Sequence, residues 1–299
     1  MLFDAFSEDK KSYVSLLEQA EAAAIWLTSH GARVDSTRIA SHIARLRSRL
    51  FVTGSVKSTP PEHWSHLWQL SEVHDLVEIH RSLSSVKDAN FFETLRKTTS
   101  GPILLADEGT EGGSIQARNA AFELFTAARL ARAGLPVSFN TKADVTAMVE
   151  GVAVAVECKR ISSAEALDDR IKEAHKQIRR RIAANEAQFG LIAVSLSRLV
   201  HQVSQEQPDS VAGDPKILQL ALGQMVADWG PVVTRLFGGF APSTIAIILQ
   251  YKFPFINITD GTPTMLSRFV TYPLISENAG PAGKINEAIR AALVGSVGG

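Results

Sequence analysis

Residues 144–159 read Asp-Val-Thr-Ala-Met-Val-Glu-Gly-Val-Ala-Val-Ala-Val-Glu-Cys-Lys. Two strand-like runs flank Glu150-Gly151, a pair suited to a two-residue hairpin loop. That loop pairs Val149 with Val152, and the same register sets Asp144 directly opposite Glu157. Directly opposed residues have Cβ atoms about 4.5–5.5 Å apart, so two carboxylates would share one side of the sheet. Strand alternation puts Lys159 on the face of Glu157 and leaves Val152, Val154, Val156 and Cys158 as an apolar stripe on the other. Opposed like charges destabilise a hairpin. A divalent cation between them reverses the sign, and hard oxygen ligands are what Mg²⁺ prefers. Lys159 beside the pair could orient a water or offset charge on a phosphate. The expected chemistry is a Mg²⁺ site, with Mn²⁺ as a substitute, on Asp144 and Glu157.

A fourth group precedes the hairpin. The segment Ser114 to Ala133 has the spacing of a very apolar helix ending at Gly134. Arg118, Arg129 and Arg132 fall on one face, whereas Glu123 sits among Ala120, Leu124, Ala127 and Leu130. A carboxylate on an apolar face needs a partner or a metal, which makes Glu123 a candidate outer ligand.

The elements that must position these residues follow from periodicity. Strands are expected at Leu135 to Asn140, Asp144 to Val149, Val152 to Cys158, Phe189 to Ser197 and Thr244 to Tyr251. A long helix is expected from Ala164 to Gln188, another starting at Asp214-Pro215, and a last one over residues 281–294 before a frayed tail. The first hundred residues carry almost no strand signal. There, helices are expected from Tyr13 to a Gly31 cap, after Asp35 or Ser36, from Pro61 to Leu83, and behind an Asp88 cap. The composition shifts at Ser100-Gly101-Pro102 divide the chain into a helical unit (1–105) and a mixed α/β unit (106–299).

A helix bearing Glu123, a strand, Asp144 and then Glu157-Cys158-Lys159 together resemble the PD-(D/E)XK nuclease superfamily, with Ala143 where proline often precedes the aspartate. The resemblance covers about Ser114 to Leu199. It implies a restriction endonuclease-like α-β-β-β-α-β core with a mixed sheet, here preceded by an all-helical N-terminal domain. It also implies Mg²⁺-dependent hydrolysis of phosphodiester bonds, with Asp144 and Glu157 as ligands and Lys159 positioning the water. By the same resemblance Glu123 matches the acidic residue of the first helix, and Gln177 matches a glutamine of the second. The expected partner is nucleic acid, DNA rather than RNA, in a defence or repair setting, and a homodimer would suit cleavage of two strands. The alternative is a non-catalytic nucleic-acid- or protein-binding module on the same fold.

Other features bear on this expectation. The run Arg179-Arg180-Arg181 could meet phosphates, although a solvated helix face is the default for such a run. Arg38, His42, Arg45 and Arg49 share one helical face that could read DNA in the manner of a helix-turn-helix. His63, His66, His74 and His80 lack the spacing of a metal cluster, and Trp64 and Trp68 read as core. Lys and Arg number 31 and Asp and Glu 31, a formal net charge of zero, so a polyanion would be met by local patches. The single cysteine, Cys158, excludes an internal disulfide and fits a reducing compartment. No apolar run approaches a membrane span and the N-terminus lacks signal-peptide character, so a cytoplasmic protein without a membrane partner is expected. Phosphate-binding GxxxxGK[ST], dinucleotide GxGxxG and nucleophile-elbow GxSxG motifs are all missing.

Overall fold

In the computed structural model, which describes residues 3–49, 60–109, 114–139, 141–206, 239–240, 242–256, 263–276 and 280–295, the hairpin closes in the expected register. Strands β3 (Val145–Val149) and β4 (Val152–Arg160) pair antiparallel, Val149 with Val152 and Val145 with Val156. The connecting residues Glu150 and Gly151 have φ of 49° and 76°. Two successive left-handed residues make the tight turn whose twist matches the strands.

Around the hairpin runs one mixed sheet. Its other strands are β1 (Phe3–Lys10), β2 (Val137–Ser138), β5 (Phe189–Ser195), β6 (Thr244–Ile256) and β7 (Pro263–Pro273). The order is β1-β7-β6-β5-β4-β3-β2. β4, β5 and β6 are mutually parallel, and the remaining pairs are antiparallel. The central strand β5 is buried on both faces, and its near-continuous apolar sequence, FGLIAVS, suits that position.

The helices are α1 (Tyr13–Ser29), α2 (Arg38–Arg49), α3 (Pro60–Leu83), α4 (Ala89–Lys97), α5 (Gln116–Arg132), α6 (Ala166–Ala183), α7 (Ser197–Glu206) and α8 (Pro281–Gly295). Asp88 caps α4 by accepting from the Asn90 and Phe91 amides, as its position predicts. α5 lies on the Val154–Val156–Cys158 face of β4, and α3 packs on both α5 and β6. α6 covers the opposite face and links the parallel strands β4 and β5. Its approach depends on Gly190, where an added Cβ would lie 2.3 Å from Ile178 Cγ2. None of the described helices is long and apolar enough to cross a membrane.

The structure corrects several expectations. The first hundred residues are not all helical, because Phe3–Lys10 forms an edge strand on β7. Its sequence, FDAFSEDK, holds no clean apolar alternation, and charged residues are common on edge strands. The helices of the expected 1–105 unit also share one hydrophobic core with the sheet. β2 shrinks to two residues, α6 stops at Ala183 rather than Gln188, and β6 extends beyond Tyr251 to Ile256. Asn185, with φ of 56°, ends the turn after α6. α7 and β7 carry weak sequence signals and were not expected. The helix expected from Asp214-Pro215 lies outside the described residues.

The arginine face of α5 is turned inward. Arg118 and Arg129 of α5 are buried. Arg118 and Arg38 both pair with Glu72 of α3, and Arg132 pairs with Glu78. α5 is enclosed by helix and sheet alike, so its second face is satisfied by internal ion pairs instead of water.

Candidate active site

Asp144 stands immediately before β3, one step past the last ladder pair, and its register continues toward Glu157. Its Oδ2 accepts a hydrogen bond from the Cys158 amide at 2.7 Å, which fixes the carboxylate beside β4. Glu157 is fully buried. Arg181 of α6 reaches it, with Nε 3.4 Å from Oε1, whereas Oε2 makes no hydrogen bond among the described residues. Lys159 follows on the same strand face, and its Nζ lies 4.0 Å from Glu173 Oε1.

Glu123 projects from α5, half-buried, into the same electrostatic neighbourhood. Burial pushes its carboxyl up to about 8; Asp144 and Glu157 add to the rise, while Lys97 and Lys159 oppose it. Burial and then Asp144 likewise raise Glu157 to about 7, outweighing Lys159 and Arg181. Asp144 is also raised, chiefly by burial, against the Cys158 hydrogen bond and Lys159. Three largely buried acids, with Asp144 disfavouring charge on the other two, form a site short of positive charge. Such clustering is typical of functional centres.

Gln177 sits one turn from both Glu173 and Arg181 on α6, and its Oε1 is a buried acceptor without a hydrogen bond among the described residues. Glu173, Gln177 and Arg181 are spaced i, i+4, i+8, so they form one stripe facing Glu157 and Lys159. Sequence reasoning selected only Gln177 of the three. The four-residue spacing was the available signal, masked by reading Arg179-Arg180-Arg181 as a uniform charge run. Arg179 and Arg180 are exposed, whereas Arg181 turns inward.

The structure brings Asp144, Glu157, Lys159 and Glu123 to one end of the hairpin, and Gln177 stands on α6 between Glu173 and Arg181, which reach Lys159 and Glu157. It does not bring Arg38 there. Arg38 is buried, paired with Glu72, and donates to the Thr98 carbonyl, so it cannot meet a nucleic-acid backbone. His42 on the same face is buried, Arg45 is half-buried, and the side chain of Arg49 lies outside the described residues. Trp68 is core, while the side chains of His63, Trp64 and His66 also lie outside the described residues. Burial raises the Cys158 thiol well above its ordinary value, which makes it unreactive.

Among the described residues no three His, Cys, Asp or Glu side chains are already gathered around one ion-sized point. Mg²⁺ commonly takes only one or two carboxylates and completes its octahedron with water. Asp144 and Glu157, with the unpaired Glu157 Oε2, fit that demand. In comparisons with known proteins, no family model matches the chain and no curated protein matches it.

Proposed function

We propose that the protein is a Mg²⁺-dependent nuclease that hydrolyses phosphodiester bonds in DNA. The observation that carries this reading is Asp144, held on the Cys158 amide, acting on buried, half-satisfied Glu157 beside Lys159. A structural ion pair would leave neither a carboxylate oxygen without a hydrogen bond nor an acid raised by a neighbouring carboxylate. The succession α5-β2-β3-β4-α6-β5, with β4 and β5 parallel, supports a restriction endonuclease-like core.

On this reading Asp144 and Glu157 hold the Mg²⁺, and Glu123 lies outside them as a proton-sharing neighbour. Bound there, the ion would acidify a water and offset charge on the phosphate. Lys159, steadied by Glu173, orients the attacking water. Gln177 offers its amide to water or phosphate, and Arg181 keeps Glu157 turned toward the site. Exposed Arg179 and Arg180 continue the helix outward as contacts for the polyanion.

The test is cleavage of plasmid DNA, single-stranded DNA and RNA with Mg²⁺ or Mn²⁺. Asp144→Asn and Lys159→Ala, each verified to be folded, should cut at least ~100-fold more slowly than wild type. Equal rates in wild type and both variants would defeat the assignment. Absence of metal-dependent cleavage by folded wild type would defeat the reading.

A further inference from the structure

A second polar centre lies on the other face of the sheet, behind the candidate site. Strand alternation turns Arg160 away from Lys159, toward α3 and α5. Arg160, Ser195 and Gln250 are consecutive partners across β4, β5 and β6, and Arg160 and Ser195 are the last residues of their strands. This row forms one wall of a cavity of about 80 Å³, closed from the helical side by Arg38, Trp68 and Arg118. Its place at the carboxyl ends of parallel strands is where open α/β sheets bind ligands.

The cavity's unpaired atoms are all of one kind. Arg38 Nε, Trp68 Nε1, Arg118 NH1 and Gln250 Nε2 are buried and make no hydrogen bond among the described residues. Each is a donor, so what they lack is an acceptor. The charges point the same way. Arg38, Arg118, Arg160 and Lys252 line or edge the cavity, against Glu72, Asp75 and Glu108, which pair with them. Four cations against three carboxylates leave one positive charge in excess. Buried donors without acceptors cost free energy individually, and four on residues that line one space call for an oxygen-rich occupant.

The geometry points to a binding site for a phosphate group, held by Arg38, Trp68, Arg118 and Gln250. Inorganic phosphate and the phosphate of a nucleoside 5′-monophosphate offer the same chemistry. Any portion of the ligand beyond the phosphate group would extend through the mouth. This site does not depend on the nuclease reading, because it shares no residue with that centre.

Isothermal titration calorimetry on the full chain tests it, with inorganic phosphate and adenosine 5′-monophosphate as probes and adenosine as control. Saturable one-to-one binding of phosphate or the monophosphate is expected, with none for adenosine. Trp68→Phe and Gln250→Met each delete one donor with little change of volume. Each should weaken binding about tenfold, the scale of one lost hydrogen bond to a charged group. Comparable affinities for the two probes would identify a free-anion site; tighter binding of the monophosphate, competed by phosphate, would identify a phosphomonoester site. Two results would overturn the proposal: no saturable binding of either probe to folded wild type at millimolar concentration, or undiminished binding in both folded variants. If one variant fails to fold, the other decides.

Discussion

Arg181 Nε lies 3.4 Å from Glu157 Oε1, linking the second helix of the candidate core to the strand that carries its central acid. The guanidinium occupies one oxygen and leaves the other unpaired. It therefore steadies Glu157 and also competes with any cation for it. Arg181→Met should tighten Mn²⁺ binding at alkaline pH by about tenfold, since one nearby positive charge is removed at short range. Electron paramagnetic resonance titration of Mn²⁺ would measure this. Weaker or unchanged Mn²⁺ affinity would show that Arg181 does not share the metal's ligand.

Stability should fall with rising pH in metal-free buffer. The folded protein holds protons on Glu157 up to about 7 and on Glu123 up to about 8, whereas the unfolded chain releases them near the ordinary 4.5. The native state thus binds more protons between those values, and unfolding free energy declines with pH across that window. Below about 4.5 this contribution is fully present. For Glu157 the loss amounts to roughly 3 kcal/mol by the time both states are ionised. Urea denaturation at pH 5 and pH 8 would reveal it, and Glu157→Gln should flatten the profile.

Mg²⁺ should reverse that loss at pH 8 and have little effect at pH 5. Ionised carboxylates bind the cation only in the folded state, and protonated ones do not. A Tm that rises with Mg²⁺ at pH 8 in wild type, but not in Asp144→Asn, is the expected result. A Tm indifferent to Mg²⁺ at pH 8 would remove the metal site.

Glu72 holds the helical layer together. Burial alone would raise its carboxyl, but Arg38 and Arg118 outweigh that and hold it well below the ordinary range. Glu72→Ala should cost about 3–5 kcal/mol, because it strands two buried guanidinium groups. A loss under ~1 kcal/mol in urea titrations would mean that water or Glu108 substitutes for it.

Gly190→Ala should destabilise the fold by about 1–3 kcal/mol, since its Cβ would collide with Ile178. The Ile178→Ala background should tolerate the change. A double-mutant cycle measures the coupling, and additive effects would show that α6 can lift off β5 freely.

The hairpin was legible in the sequence because its information is local. Glu150-Gly151 sets the turn, the turn sets the register, and a period of two assigns Glu157 and Lys159 to one face and the valines to the other. The same holds for the Asp88 cap and for most of the helices, whose signals lie within a few residues. Tertiary structure alone decided which charged groups are internal. Arg38 reads as a solvated or DNA-facing charge until Glu72, distant in sequence, is placed against it, and Arg118 shares the same carboxylate. β1 exists only because β7 offers it an edge, and Arg181 joins the site only because α6 is seated over Gly190. Local preferences fix turns and faces, but a charge is satisfied by its nearest partner in space, and that partner is known only once the chain is folded.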